Sequence, residues 1–89
     1  MSEAHYVRGD ALFEDMGGET VMLDLASRRL TTLNAAGRIL WDALEHPATL
    51  DHLRDVLCAN FGLDGDRATA DVAAFVASLC DRGLIHPTA

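Results

Sequence analysis

The spacing of apolar and polar positions changes once along this chain, from a period of two in the first third to a period near 3.6 thereafter. "ALFED", Ala11 to Asp15, and "ETVMLDL", in which Val21, Leu23 and Leu25 alternate with Met22 and Asp24, predict two strands. Between them Gly17 and Gly18 can take the positive φ angles of a tight hairpin turn. The β-branched run "RRLTTL", Arg28 to Leu33, predicts a third strand and completes a meander.

Helical spacing follows. Asn34 stands where an N-cap belongs, ahead of a stripe of Ala36, Ile39, Leu40, Ala43 and Leu44 with Trp41 on its flank; His46 and Pro47 end that helix. Thr49 caps a second helix in which Leu50, Leu53, Leu57 and Phe61 share a face, Asp51 and Asp55 suit the helix dipole, and Gly62 is the stop. A third helix, capped by Asp64 or Asp66 and closed by Gly83, turns Ala68, Val72, Phe75, Val76 and Leu79 inward. One flank carries Asp71, Ser78 and Arg82, and the other Ala70, Ala73, Ala77 and Cys80. "LIHP" then returns to the sheet or packs on the helices. The predicted architecture is α+β and winged-helix-like: a three-stranded antiparallel sheet followed by three helices.

With 89 residues, the chain is expected to form a single domain over 1–89, since a chain this short buries only about 60 to 65% of its unfolded surface. Hydrophobic and charged fractions of 49% and 24% predict neither disorder nor a membrane span. The acidic, unpatterned N-terminus lacks the apolar core of a secretory signal, so a cytoplasmic protein is expected. The net charge is −7 and all seven basic residues are arginine, a balance that disfavours nucleic acid and suits basic or neutral partners.

Motifs that carry chemistry are missing. His52 and Cys58 fall on different helix faces, and no second pair completes a zinc set. Asp64 to Asp66 lacks the further oxygen ligands of a calcium loop. No G-x-S-x-G turn occurs, and "NAAGR" has too few glycines to cradle a phosphate. Cys58 and Cys80 read as small apolar residues near the core. The sequence therefore predicts no catalytic residues, no metal and no cofactor.

A joint pattern remains: Leu23-Asp24, Leu33-Asn34, Gly37, Leu40-Trp41, Pro47 with Thr49, and Asp71, Val72, Phe75, Leu79, Gly83 and Leu84. It resembles the PqqD-like family, the recognition elements for ribosomally made and post-translationally modified peptides (RiPPs), over about Glu19 to Ile85. "AS" stands before the third strand where the family often has glycine, and "RRLTT" where aromatics are frequent.

The resemblance implies a non-catalytic domain that binds the leader segment of a precursor peptide by strand addition. The domain would hand the peptide to a separate modifying enzyme, a leader peptidase as in lasso-peptide clusters, a cyclase partner or a radical-SAM enzyme. Carried over by position, the docking strand is Arg29, Leu30, Thr31, Thr32 and Leu33. The third helix adds Asp71, Ala74, Phe75, Ser78, Leu79 and Arg82 as the cleft wall, with Phe75 as its floor and Asp71 and Arg82 as polar selectors. No membrane or nucleic-acid partner is expected, and an open edge also admits self-pairing into a homodimer. The rival reading is a winged-helix DNA-binding regulator. It needs a cationic recognition helix, whereas the second helix sets only Arg54 against Asp51 and Asp55.

Overall fold

A computed structural model describes residues 4–88. Its elements are β1 (His5–Arg8), β2 (Leu12–Asp15), β3 (Thr20–Asp24), β4 (Arg29–Leu33), α1 (Ala35–Ala43), α2 (Leu50–Phe61), α3 (Gly65–Asp81) and β5 (Ile85–Thr88). Strands β2, β3 and β4 form the expected antiparallel meander in that order, so β4 is an edge. Strands β1 and β5 form a separate antiparallel ribbon, with His5 opposite Thr88 and Arg8 opposite Ile85. β5 thus pairs with β1 and does not join the meander.

Both hairpin turns follow from their residues. Gly17 and Gly18 have φ of 59° and 98°, and the Met16 amide donates to the Glu19 carbonyl at 2.7 Å, the two-residue geometry whose twist suits a hairpin. The β3–β4 turn is organised by Asp24. Its carboxylate accepts from the Ser27 hydroxyl at 2.7 Å and from the Ala26 amide at 3.1 Å, while its carbonyl accepts from the Arg28 amide at 2.7 Å. Arg28 closes the turn at φ 60°, a left-handed conformation that glycine adopts without strain.

The Ser27 hydroxyl first, and then the Ala26 amide, lower the Asp24 pKa from the ordinary carboxylate value. A carboxyl depressed in the folded state contributes stability above its unfolded pKa and loses it as the pH falls through the folded one. The melting temperature of the unmodified chain should therefore drop more steeply in acid than that of Asp24→Asn; parallel curves would remove this role from Asp24.

Strand register decides which side of the meander is buried. The cross-strand rows Phe13, Met22, Thr31 and Asp15, Thr20, Leu33 lie on one face, and Leu12, Leu23, Leu30 and Glu14, Val21, Thr32 on the other. The face turned to the core is the one holding Met22, Thr20 and Asp24, which are buried, whereas Val21 and Leu23 are half-buried and Leu25 is exposed. Thr20 is admitted there because its hydroxyl donates to Asp15 Oδ1 at 2.7 Å.

The core runs through Met22, Leu40, Trp41, Leu44, Leu53 and Val72, with α3 packed on α2 and β5. The caps form as expected: the side chains of Asn34, Thr49 and Asp64 accept from the amides of Gly37, His52 and Arg67. One helix face differs from its pattern. Leu53 and Leu57 are buried, but Leu50 and Phe61, at the two ends of α2, are exposed.

Arg38 of α1 ties that helix to the β2 side of the meander. Its guanidinium bonds Asp15 at 2.6 Å and Asp42 at 3.0 Å and lies 4.4 Å from the centre of the Phe13 ring. The opposite edge, β4, has no strand beyond it among the described residues.

Candidate functional site

An exposed strand edge is a row of unpaired backbone donors and acceptors, which soluble proteins ordinarily cover or charge. Here β4 stands beside α3, and the two enclose an open concavity of about 340 Å³. Leu30, Thr31, Thr32 and Leu33 line it from the strand, and Phe75, Ser78, Leu79 and Arg82 from the helix. A second concavity of about 290 Å³ continues it toward the start of α3, adding Asp71 and Ala74 and sharing Phe75. The residues expected from the sequence are thus brought together along one cleft; Arg29 alone lines neither part and lies exposed at the beginning of the strand.

Their roles are unequal. Leu33 and Leu79 are buried and belong chiefly to the core, whereas Phe75 is half-buried and reaches both parts of the cleft. Arg82, the C-cap of α3, donates from Nη1 to Thr31 Oγ1 at 2.9 Å and so bridges the cleft at its strand-start end. At the far end Asp71 lies 3.8 Å from Arg67, an exposed pair one helical turn apart.

Two residues of the cleft had been read only for other roles. Asn34 is a cap, its Oδ1 occupied by the Gly37 amide at 2.8 Å, yet it also lines both concavities. Gly37 matters through what it lacks. A Cβ there would lie 3.4 Å from Phe75 Cε1 and 3.4 Å from Leu33 Cβ, so the bare backbone lets the first turn of α1 approach the cleft floor. The three-residue step from Asn34 to Gly37 was the available signal; what it could not disclose was the aromatic ring contributed by α3.

The other face of the meander is apolar and open, with Leu12 and Leu30 59% and 68% exposed around a concavity of about 280 Å³. Leu30 borders both this hollow and the cleft. Among the described residues no three His, Cys, Asp or Glu gather as metal ligands. Cys58 and Cys80 are free, and burial raises the pKa of the Cys80 thiol. No helix among the described residues is long and apolar enough to cross a membrane.

The sequence profile for "Coenzyme PQQ synthesis protein D (PqqD)" matches residues 19–85, from the start of β3 into β5. The chain belongs to the PqqD family. Its fold also matches a solved structure described as "TbiB1 in Complex with the TbiA(beta) Leader Peptide", with a TM-score of 0.79 over 93% of this chain and 98% of that one, at 24% identity. No curated protein matches it by sequence. The PqqD match takes in both walls of the cleft, Arg29–Leu33 and α3, and leaves β1 and β2 outside it.

Proposed function

We propose that this chain is a non-catalytic recognition protein that binds the leader segment of a ribosomally made precursor peptide and delivers it to a separate modifying enzyme in the cytoplasm. The observation that carries the reading is an edge strand, β4, left open beside a cleft whose other wall is α3. A peptide laid along β4 would satisfy the backbone groups of that edge, and its alternate side chains would enter the cleft over Phe75. Membership of the PqqD family supports this, as does the shared fold of TbiB1, whose structure was determined with a leader peptide. The partner enzyme would be a leader peptidase, a cyclase partner or a radical-SAM enzyme.

The charge pattern weighs against the DNA-binding alternative. Arg54, the cation of α2, lies 3.2 Å from Asp55 and 3.5 Å from Asp51 and has little charge to offer a phosphate. The test is titration of the isotope-labelled chain with the leader encoded beside it. Micromolar or tighter binding with amide shifts confined to β4 and the facing side of α3 is expected; no heat in calorimetry and no shifts on β4 would overturn the reading.

A further inference from the structure

The cleft has unlike ends. Four of the arginines have carboxylate partners: Arg8 with Asp42, Arg38 with Asp15 and Asp42, Arg54 with Asp51 and Asp55, and Arg67 with Asp71. Arg28, Arg29 and Arg82 have none among the described residues, although the chain carries fourteen acids. All three are exposed; Arg28 and Arg29 lie where β4 begins, and Arg82 reaches the middle of that strand from α3. Arg29 opens the strand on the same face as Thr31, Arg82 is bonded to Thr31 from across the cleft, and Arg28 is the last residue of the preceding turn.

Two acids adjoin this cluster, Asp24 opposite Arg29 in the β3–β4 pairing and Asp81 beside Arg82, and neither is ion-paired with it among the described residues. The Asp24 carboxylate is occupied by the Ser27 hydroxyl and the Ala26 amide, and Asp81, adjacent to Arg82 on the chain, diverges from it by about 100° around the helix axis. The opposite end of the cleft carries Asp71. Eleven residues of helix separate Asp71 from Arg82, about 16 Å. That exceeds a Debye length of about 10 Å at 0.1 M salt, so each end acts on a ligand independently.

Resting on the reading of β4 as a peptide-docking edge, we infer that the peptide seated there bears an apolar side chain followed four residues later by a carboxylate. The apolar residue lies opposite Leu33 and over Phe75; the carboxylate lies opposite Arg29, within reach of Arg82. The spacing is that of Arg29 and Leu33 on one strand face, about 13 Å. The order follows from antiparallel addition, the more stable pairing per residue, in which the peptide runs from the Leu33 end of β4 to the Arg29 end. Arginine suits the task because its planar donors meet a carboxylate two at a time, and Arg82 spends one on Thr31 and keeps the others.

The test is a yeast-displayed library of random twelve-residue peptides sorted against the full chain. Recovered sequences should carry an aspartate or glutamate four residues after a leucine, isoleucine or phenylalanine. In the best synthetic binder Glu→Gln should weaken binding about tenfold at low salt, and the difference should shrink as salt rises. Arg29→Gln and Arg82→Gln should each reduce that difference while leaving the apolar preference. The Arg29 side chain has no hydrogen bond or ion pair among the described residues, so its variant remains informative if loss of the Thr31 bond destabilises the other. Apolar sequences recovered without acid enrichment, the acid placed before the apolar residue, or equal affinity for the Gln peptide would overturn this inference and leave strand addition standing. A sort that recovers nothing would overturn both.

Discussion

Trp41→Ala is expected to remove a large share of the chain's stability at 25 °C. The indole is 1% exposed, and truncating a buried Trp costs about 3 to 5 kcal/mol in lost transfer energy and residual cavity. A chain of 89 residues has in total about 4 to 13 kcal/mol. The site cannot collapse easily, since α1 is held on one side by Arg38 and the Arg8 guanidinium lies 5.6 Å from the centre of the indole ring. Urea denaturation followed by circular dichroism measures the loss, and a change below about 1 kcal/mol would show that the site refills. The indole Nε1 is buried without a hydrogen-bond partner among the described residues, so Trp41→Phe removes an unsatisfied donor along with some volume and should cost much less than alanine.

Ser78→Trp is expected to separate folding from binding. Ser78 is exposed on α3 and lines the cleft between Phe75 and Arg82, and Ser and Trp have similar helix propensities, so the melting temperature should move by only a few degrees. An indole projecting from that position occupies much of the 340 Å³ between helix and strand. Leader affinity should fall at least about a hundredfold, since the peptide would lose both its side-chain pocket and close approach to β4. Retained affinity in a folded Ser78→Trp chain, measured by calorimetry, would mean that the peptide does not use this cleft.

What the sequence disclosed and what it withheld divide by the range of the interactions involved. The caps at Asn34, Thr49 and Asp64 and the Gly17-Gly18 turn are settled by residues three or four apart, and each formed as expected. The cleft residues also came together, because strand and helix periodicities fix which side chains share a face. The β1–β5 ribbon was not legible: "HYVR" is too short to display alternation, and its partner lies at the far end of the chain. Nor was the bond from Arg82 to Thr31, which joins residues 51 apart. The buried side of β3 defied simple hydropathy, because Thr20 and Asp24 face the core with local hydrogen-bond partners while Leu25 faces water.

The pairing of His5 with Thr88 gives the backbone the topology of a nearly closed ring. A short flexible linker from Thr88 to His5 would close that ring, and it could then be reopened where nothing packs. The Gly17-Gly18 tip is such a place, as no atom lies within 4 Å of where a side chain would start on either glycine. In that permuted order β3, β4 and the three helices would come first and β2 last, with every strand pairing kept. The same molecule would then be available with its cloning ends at a hairpin tip, a practical route to tethering it beside another protein.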